Sequence, residues 1–558
     1  MRYLALATDY DGTLAHHGSV DAETVEALRR LAATGRKLIL VTGRQVDDLV
    51  RVFPQVSLFD QVIGENGALI YRPQRRELRR LAEPPPLEFV EALKRRRVDP
   101  LAVGHVVVAT VQPHETEAIE AIRELGLELQ VIFNKGSVMI LPASVNKASG
   151  LAAGLAELQL SPHNVVGIGD AENDHAFLAM SECGIAVANA LDSVKAHADV
   201  VTTGRASEGV REVIESLIEE DLRLADSKLS RRRLVLGHVG EKPITISAYG
   251  PSLLIAGASG AGKSSVLRGF LEGLADQAYQ FCVVDPEGDY DRLGVAVTLG
   301  SAERAPSVDE AVMLLRDPTE SVVINLVGLR VQERPGFFHA LLPRVQELRA
   351  ATGRPHWLAI DEAHHLLPES SGPVELTLPE TLTSTILITV HPNRLARSVL
   401  DRIDTVVAIG SPKDVLRPFG QSTDEELSAG DAIIWFRKDG APRRMRTVRG
   451  RVEQRRHVRK YAAGDLGQNS FHFRGPDGRL NLRAQNLAMF LQIAEGVDDE
   501  TWLYHLRKGD YSSWFQTAVK DPELVEAARN AERLADKPAA ESRRLIKDAI
   551  EQKYTAPA

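Results

Sequence analysis

Short apolar runs, each followed by polar or acidic residues, recur through the first 190 residues of the chain. The clearest runs and the residues that follow them are Leu4–Ala7 with Asp9 and Asp11, Lys37–Val41 with Thr42, and Val165–Gly169 with Asp170 and Asp174. Continuous apolar runs of this length are typical of parallel strands that are buried on both faces. Open α/β sheets bind ligands at the carboxyl ends of such strands, so we expect these polar residues to face one crevice.

Asp9 and Asp11 lie two residues apart at the predicted end of the first strand, and Gly12 allows the chain to turn there. Two carboxylates this close together cannot both ionise without compensation, so the pair indicates a divalent cation site. An acidic turn after a strand is the alternative, since Asp-Gly is a common turn pair. Both interpretations stay open on this stretch alone.

The pattern between Pro84 and Leu141 differs from the pattern on either side of it. Helical periodicity alternates there with short strands, which predicts a compact α+β insert in the parallel sheet. The predicted helices are Leu87–Arg97 and Glu115–Leu125, and the predicted strands are Ala102–Thr110, Leu127–Phe133 and Ser137–Leu141.

Length and composition set the class of the protein. A chain of 558 residues is too long for one core and predicts three or four domains. The net charge of −9 gives no overall attraction to nucleic acid or membrane. Two cysteines far apart argue against a disulfide framework. We find neither a signal region nor an apolar run long enough to span a bilayer. We therefore expect a cytoplasmic protein without a membrane partner.

Residues 1–215 resemble the haloacid dehalogenase (HAD) phosphatase superfamily. All four motifs of that superfamily are present in order, carried by Asp9-Tyr10-Asp11, Thr42-Gly43, Lys147 and Asp170 to Asp174. Glu65–Ala68 and Gly184–Ala190 match the branch with an inserted cap, subfamily IIB (Cof-like). The resemblance implies a Rossmann-like core with a small α+β cap at about residues 82–143.

This resemblance also implies a role for each motif residue. Asp9 would be the nucleophile that forms an aspartyl-phosphate, and Asp11 the general acid and then the general base. Thr42 and Lys147 would hold the transferring phosphoryl group. The implied Mg²⁺ ligands are Asp9, Asp11 through its carbonyl, Asp170 and Asp174.

Single residues of this set also have simpler explanations. Lys147 alone is consistent with a solvated helix residue, and Asp174 with a charge favoured at a helix N-terminus. Arg44, His105 and Asn134 are conceivable substrate contacts or plain surface and cap residues.

A second motif follows the predicted strand Ser252–Ala256. Gly257–Ser264 fits the phosphate-binding loop, in which glycines let the backbone amides wrap a phosphate. Lys263 would reach the β- and γ-phosphates, and Ser264 would ligate Mg²⁺. About a hundred residues later a short apolar strand ends in Asp361-Glu362, the Walker B arrangement. Asp361 would order the Mg²⁺ shell, and Glu362 would polarise the attacking water.

Two further segments make residues 244–415 resemble the HerA/FtsK branch of P-loop ATPases. They are Asp285-Pro286-Glu287-Gly288-Asp289-Tyr290 and the strand Ile386–Val390 with His391, which stands where that branch commonly has glutamine. The resemblance implies ATP as a ligand and a homo-oligomer, a hexamer in many members, with an arginine donated by a neighbour. Candidates for that arginine are Arg394, Arg397 and Arg402. The implied nucleotide contacts are Gly257, Gly260, Gly262, Lys263, Ser264, Ser265, Asp361 and His391.

The remaining segments give weaker signals. Residues 216–243 are interpreted as a linker in which Arg231–Arg233 face solvent, and 244–450 as the ATPase domain ending near the strand Ala432–Phe436. Residues 443–460 hold nine Lys or Arg, which suits contact with nucleic-acid phosphates or an amphipathic element at a domain seam. Residues 451–558 are interpreted as a helical module. Its predicted helices are Asn481–Ile493, Asp499–Leu506, Tyr511–Val519 and Pro522–Ala535.

The sequence therefore predicts an Mg²⁺-dependent phosphomonoester hydrolase, acting on a small phosphorylated substrate, that an ATP-hydrolysing domain gates or assembles. The alternative is a nucleic-acid motor whose HAD domain removes terminal phosphates. A third possibility is that the ATPase domain is an inert scaffold.

Overall fold

The computed structural model describes residues 1–367 except 135 and 292, residues 379 and 381–448 except 439, and residues 450, 466, 470–476, 480–519 and 521–554. The chain divides into two compact units, residues 1–448 and residues 449–558. Among the helices of the described residues, none is both long enough and apolar enough to cross a bilayer.

The first domain, from β1 to α8, is a mixed sheet with an inserted cap. Its elements are β1 (Ala5–Thr8), α1 (Ala22–Ala33), β2 (Lys37–Val41), α2 (Val46–Val52), β3 (Gln61–Gly64), β4 (Leu69–Arg72), β5 (Glu77–Arg80), α3 (Leu87–Arg95), β6 (Ala102–Val103), β7 (Val108–Val111), α4 (Glu115–Leu125), β8 (Leu129–Asn134), β9 (Ser137–Pro142), α5 (Lys147–Glu157), β10 (Val165–Gly169), α6 (His175–Met180), β11 (Cys183–Ala186), α7 (Asp192–His197), β12 (Val200–Val201) and α8 (Ser207–Glu220). The main sheet has the order β12-β11-β10-β1-β2-β3-β4-β5, parallel from β12 to β3.

The cap is a separate antiparallel sheet with the order β6-β7-β9-β8, against which α3 and α4 pack. The prediction of one strand over Ala102–Thr110 is wrong, because the chain turns back between β6 and β7. The turn is stabilised from outside the cap: the backbone N–H groups of residues 105–107 donate to the Glu65 carboxylate. The local pattern of apolar residues does not indicate such a long-range contact, so the turn could not be predicted from it.

The second domain is an eleven-stranded sheet with a parallel core. Its elements are β13 (Arg233–Val239), β14 (Lys242–Ser247), β15 (Ser252–Gly257), α9 (Lys263–Asp276), β16 (Phe281–Asp285), β17 (Val297–Leu299), α10 (Val308–Arg316), β18 (Val322–Asn325), α11 (Arg334–Thr352), β19 (Trp357–Ile360), α12 (Ala363–Leu366), β20 (Thr385–Thr389), α13 (Arg397–Leu400), β21 (Thr405–Ile409), α14 (Pro412–Leu416), β22 (Asp431–Phe436) and β23 (Arg443–Thr447). The order is β14-β13-β23-β22-β21-β15-β20-β19-β16-β18-β17. β15 lies between β21 and β20, and β19 follows β20.

Two basic segments have structures other than those predicted for them: the predicted linker that contains Arg231–Arg233, and the segment that begins at residue 443. Arg231 is not a solvated residue, because its guanidinium binds the buried Asp199 carboxylate at 2.6 Å. Residues 233–239 form β13 within the second sheet rather than a free connector. Ala432–Phe436 is not the last strand, since β23 follows it and directs Arg444 towards Asp431 at 2.5 Å. Residue 449 and residues 451–460 of the basic segment lie outside the described residues.

The unit at residues 449–558 is mostly helical, as predicted, and contains a two-stranded sheet. Its elements are β24 (Phe471–Phe473), β25 (Leu482–Ala484), α15 (Leu487–Gly496), α16 (Asp499–Lys508), α17 (Asp510–Trp514), α18 (Pro522–Glu532) and α19 (Ala539–Tyr554). The helix predicted from Asn481 begins later, because Leu482–Ala484 pairs with β24 and Asn486 caps α15. Trp502, Tyr511 and Trp514 pack in its apolar core.

Candidate functional site

The central strands of the first sheet bring the predicted acidic residues together. β1 lies between β2 and β10, and all three strands are parallel. Asp9 directly follows β1 and Asp170 directly follows β10, so both leave the same edge of the sheet. Asp174 returns to this edge through a short 3-10 turn. One carboxylate oxygen each from Asp9, Asp170 and Asp174 lies within 4.8 Å of the others, and all three residues are buried.

Lys147 joins two of these carboxylates. Its Nζ lies 2.6 Å from Asp9 Oδ1 and 2.5 Å from Asp174 Oδ1. Lys147 opens α5, and the N-cap Asn146 fixes the start of that helix by accepting the backbone N–H of Ser149. The ammonium is thus buried within the acidic cluster, and the simpler explanation of a solvated helix residue does not hold.

Burial and charge act in opposite directions within this cluster. Burial raises the pKa of Asp9 to about 8; Lys147 opposes the rise, while Asp174 and Asp170 add to it. Burial would lower the pKa of Lys147, but Asp174 and Asp9 outweigh that effect and raise it above its ordinary value. One ammonium binds two of the three carboxylates, so the cluster of four side chains holds more acidic groups than basic ones. Such an oxygen-rich, anionic set fits a hard divalent cation such as Mg²⁺.

Asp11 occupies a different position from the three clustered acids. Arg44 binds its carboxylate through two hydrogen bonds of 2.7 Å, and the same guanidinium binds Asp48 at 2.6 Å. Thr42, at the end of β2, accepts the Arg44 N–H on its Oγ1 at 3.1 Å and so fixes the turn that carries this arginine. The structure therefore places the Asp11 side chain beside the cluster rather than in it, and the predicted metal contact through its carbonyl stays a prediction.

A cavity of about 580 Å³ opens between the core and the cap above these residues. Its lining includes Asp9, Asp11, Gly43, Arg44 and Arg51 from the core and Ser137 and Met139 from the cap. The cavity therefore offers both the nucleophile candidate and two guanidinium groups to a small anionic ligand. Of the other conceivable contacts, His105 lies 3.8 Å from the Asp47 carboxylate, and the side chain of Asn134 lies outside the described part of the chain.

Glu65 connects the core to the cap, a role that the sequence prediction missed. Its buried carboxylate accepts the N–H groups of His105, Val106 and Val107 at 2.8–2.9 Å. The neighbouring Asn66 accepts the side-chain N–H of Asn173 at 3.1 Å, and Asn173 belongs to the Asp170–Asp174 turn. The Glu-Asn-Gly-Ala motif marked this stretch as special, but only the fold shows which backbone groups the carboxylate binds.

The phosphate-binding loop of the second domain connects β15 to α9, and its lysine side chain binds a backbone carbonyl of the same loop. Gly257 fits only without a side chain, because a Cβ there would lie 2.0 Å from the Ile409 carbonyl oxygen. Gly260 and Gly262 have positive φ angles of 74° and 104°. Lys263 Nζ donates to the Ala258 carbonyl at 3.0 Å, and Ser264 Oγ donates to Asp289 at 3.0 Å. Ser265 follows in the first turn of α9.

The Walker B residues end β19, two strands away from β15. Burial raises the pKa of Asp361 to about 7, and burial with the charge of Glu287 raises the pKa of Glu362. His364 Nδ1 lies 3.2 Å from Glu362 Oε2 and 3.1 Å from Thr389 Oγ1, at the end of β20. Burial lowers the pKa of His364 to about 4, so its ring is neutral at neutral pH.

His391 and one of the three candidate arginines, Arg397, line a cavity of about 970 Å³ beside the phosphate-binding loop. The lining of that cavity includes Gly257, Ser259, His391, Asn393, Arg397 and Arg417. His391 donates its backbone N–H to Thr389, and its ring lies 5.2 Å from that of His364. Arg394 is exposed, whereas Arg397 and Arg402 donate to the carbonyls of residues 418 and 379. The role of a donated arginine stays a prediction.

Asp285, the first residue of the Asp-Pro-Glu-Gly-Asp-Tyr segment, shapes the turn that follows β16. Its buried carboxylate accepts four successive backbone N–H groups, from Glu287 to Tyr290, at 2.8–3.3 Å. This turn brings Asp289 to the hydroxyl of Ser264. The backbone N–H groups of the segment therefore hold the turn in shape by binding Asp285. Within the segment, Asp289 is the residue whose carboxylate reaches the phosphate-binding loop.

Comparison with known proteins agrees with both resemblances. A family model described as haloacid dehalogenase-like hydrolase matches residues 6–117 and 99–214, and one described as the central domain of helicase HerA matches residues 236–355. Phosphoglycolate phosphatases of Methanothermobacter thermautotrophicus and Archaeoglobus fulgidus are 28% and 29% identical to the chain. Each alignment covers 38% of this chain and 96% of the relative.

Among solved structures, a haloacid dehalogenase-like hydrolase from Bacteroides thetaiotaomicron is similar, with 20% identity and a TM-score of 0.35. The match covers 38% of this chain and 99% of that structure. The family matches and the catalytic-type motifs confirm the fold class that the sequence predicts. The chain therefore joins a haloacid dehalogenase-like phosphatase domain to a HerA-like P-loop ATPase domain.

Proposed function

We propose that the first domain is an Mg²⁺-dependent phosphomonoesterase that works through an aspartyl-phosphate on Asp9. The observation that carries this proposal is the buried group of Asp9, Asp170 and Asp174, two of which, Asp9 and Asp174, bind Lys147. A bound Mg²⁺ would be held by these carboxylates and would reduce the repulsion between an anionic nucleophile and an anionic phosphate.

The residues around Asp9 suit nucleophilic attack on phosphorus. Lys147 holds Asp9 Oδ1 at 2.6 Å and so fixes the direction of the carboxylate while balancing part of its charge. Attack by Asp9 forms a bond to phosphorus and breaks the bond to the leaving oxygen. Asp11, two residues away, gives that oxygen a proton and later takes one from the water that hydrolyses the aspartyl-phosphate.

Arg44 makes the substrate part of this proposal more specific. Its guanidinium lines the cavity and makes two hydrogen bonds to the Asp11 carboxylate. A substrate with a second anionic group would compete for Arg44 and release the Asp11 carboxylate to face the leaving oxygen. The relatives named phosphoglycolate phosphatases agree with this chemistry. We therefore propose a small phosphorylated organic acid as substrate.

Phosphate release tests this proposal directly. The full chain is incubated with phosphoglycolate, and with a sugar phosphate that lacks the carboxylate, in the presence of Mg²⁺ or a chelator. We expect release that requires Mg²⁺ and prefers the carboxylate-bearing ester. Release that continues at the same rate with the chelator would contradict the metal-dependent mechanism, and an equal rate for both esters would contradict the substrate class.

We further propose that the second domain binds and hydrolyses Mg²⁺-ATP within a homo-oligomer and gates or assembles the phosphatase. The phosphate-binding loop, Asp361 and Glu362 lie at the ends of β15 and β19 in one sheet, the arrangement that nucleotide hydrolysis needs. Lys263 and Ser264 already point along this edge, where they bind Ala258 and Asp289. Each side chain makes one such hydrogen bond of 3.0 Å, which a triphosphate and its cation can replace.

The match to the HerA helicase model supports one alternative, a motor that moves along nucleic acid. Against it, the net charge is −9, and in the described part of the basic segment Arg444 and Arg446 are paired with Asp431. Stimulation of ATP hydrolysis by DNA, lost steeply as salt rises, would favour the motor. ATP hydrolysis that DNA leaves unchanged would favour the gated phosphatase.

A further inference from the structure

The first and second domains meet at a buried polar junction, which we define as His163 and Glu182 from the first domain with Gln277 and Tyr279 from the second. His163 Nδ1 lies 2.6 Å from Glu182 Oε2, and His163 Nε2 lies 2.7 Å from the Gln277 carbonyl oxygen. The Tyr279 hydroxyl lies 2.8 and 3.0 Å from the two Glu182 oxygens. The rings of His163 and Tyr279 stack with their centres 3.6 Å apart.

These partners hold the junction together from both sides. One ring nitrogen of His163 faces the Glu182 carboxylate and the other faces the Gln277 carbonyl, so the ring links the two domains. Glu182 also binds Arg2, and Arg232 lies 3.5 Å away. Burial would raise the pKa of Glu182, but the hydrogen bond from His163 and the charge of Arg2 hold it well below its ordinary value. Removing one partner from such a buried set is costly.

Regular elements connect each side of the junction to one of the two sites. Gln277 directly follows α9, which begins at Lys263 in the phosphate-binding loop and is 14 residues, or about 21 Å, long. His163 stands two residues before β10, which ends at Asp170. Glu182 directly precedes β11 and follows α6, the helix that begins after Asp174.

A second contact joins the first domain to the residues just before β19, the strand that leads to the Walker B residues. Arg354 is buried and donates to the Gln159 carbonyl of the first domain at 2.6 Å, and β19 begins three residues after it. The side chain of Asn164 fills the space beside Gly353, where a Cβ would lie 2.2 Å from its nitrogen. The first domain therefore contacts the second both at the end of α9, the helix that begins at Lys263, and just before β19, the strand that leads to Asp361.

We propose that this junction couples nucleotide binding at Lys263 to the geometry of the Asp170–Asp174 turn, so that ATP regulates the phosphatase site. The coupling rests on the proposed functions of both domains. Because the junction is buried and its charges are paired, α9 cannot move there without disturbing its partners in the first domain. Such a movement must either break buried hydrogen bonds or move β10 and α6. Coupling of this kind is reciprocal for the binding of the two ligands.

Hydrogen–deuterium exchange of the full chain tests the coupling without relying on phosphatase turnover. Mg²⁺ is held constant, and exchange is compared with and without a non-hydrolysable ATP analogue. We expect exchange in residues 165–180 to change in the wild type. The change should disappear in Tyr279→Phe, which keeps the stacked ring but loses the hydroxyl, and in Lys263→Ala. Exchange changes confined to the second domain, or unaltered by Tyr279→Phe, would overturn the proposal.

Phosphatase kinetics give the second readout. A saturating ATP analogue should change kcat/KM of the wild type by about 5-fold or more, the lower end of usual allosteric effects. Tyr279→Phe should keep the basal rate and lose the response, whereas the control Tyr504→Phe should keep both. An undiminished response in Tyr279→Phe would overturn the coupling.

His163→Gln, with its thermal unfolding measured, serves as the second junction variant. A wild type without phosphatase activity would instead defeat the proposed function, and the exchange experiment would still decide the coupling.

Discussion

The acidic site of the first domain and the nucleotide site of the second are built in different ways, although both lie where parallel strands end. In the first, Lys147 already bridges Asp9 and Asp174, so the charged groups of the reaction face one another. In the second, Lys263 and Ser264 bind Ala258 and Asp289 within the domain. The charged groups of the first site are already together in the structure, whereas under the proposed function those of the second come together when nucleotide replaces these contacts.

This difference shows what each site needs from the rest of the chain. An assembled site depends on long-range side-chain contacts, because β1, α5 and β10 must all be placed before Asp9, Lys147 and Asp170 meet. A nucleotide loop depends on local backbone conformation, which Gly260 and Gly262 supply through positive φ angles. Substitutions should therefore separate the two activities cleanly.

Asp9→Asn should give the largest effect, since it removes the nucleophile. We expect phosphate release to fall by on the order of 10⁴-fold or more, because no other carboxylate can take over the attack in the same geometry. ATP hydrolysis should stay within about 2-fold of wild type. The control is Asp192→Asn, a fully exposed carboxylate of the same domain. Equal loss of both activities would show that the two sites are not independent.

Glu362→Gln should rank second. In the proposed mechanism this carboxylate polarises the attacking water, so kcat for ATP hydrolysis should fall by about 10²–10⁴-fold while ATP binding persists. Steady-state hydrolysis and equilibrium binding of ATP measure the two effects, with the exposed Glu303→Gln as control. Wild-type turnover in Glu362→Gln would reject the role of Glu362.

Lys263→Ala should act mainly on nucleotide affinity. Losing the ammonium that would pair with the β- and γ-phosphates should cost about 2–5 kcal/mol, or roughly 30-fold or more in Kd for ATP. Binding is measured by titration calorimetry with ATP, against the exposed Lys438→Ala as control. If the ATPase domain were an inert scaffold, the phosphatase of Lys263→Ala would resemble that of wild type both with and without ATP.

Glu65→Gln should give the smallest of these effects. The amide replaces an oxygen that accepts backbone N–H groups of the cap, so about 1–3 kcal/mol of cap attachment should be lost. We expect kcat/KM for the phosphoester to fall about 10-fold and ATP hydrolysis to stay unchanged. Phosphatase kinetics and thermal unfolding measure this, with the exposed Glu83→Gln as control. Unchanged kcat/KM would show that the cap closes without Glu65.

Much of the fold was predictable from the sequence, because buried parallel strands give continuous apolar runs. Helix α4 and strand β2 have the predicted bounds, and the resemblances to the HAD and HerA families are confirmed. The hairpin β6–β7 was mispredicted as one strand because its turn is held by Glu65, forty residues earlier. Strand β13 was mistaken for a linker because its partners, β14 and β23, are not both close in sequence.

The candidate sites were predictable to a similar degree and for the same reason. The rule that ligands bind at strand ends brought Asp9 and Asp170 together, and the structure places them within reach of one cation. The sequence indicated neither the pairing of Arg44 with Asp11 nor the junction of His163 with Tyr279. Both depend on which surfaces meet after folding, and no local pattern encodes that.

The most direct test of the account is to look for phosphate on Asp9 itself. The full chain, mixed with phosphoglycolate and Mg²⁺, is quenched in acid during the first turnover, and its peptides are analysed by mass spectrometry. The account predicts an acid-stable phosphate on the peptide that contains Asp9, absent from Asp9→Asn. Phosphate release at full rate from a chain that never carries phosphate on Asp9 would contradict it.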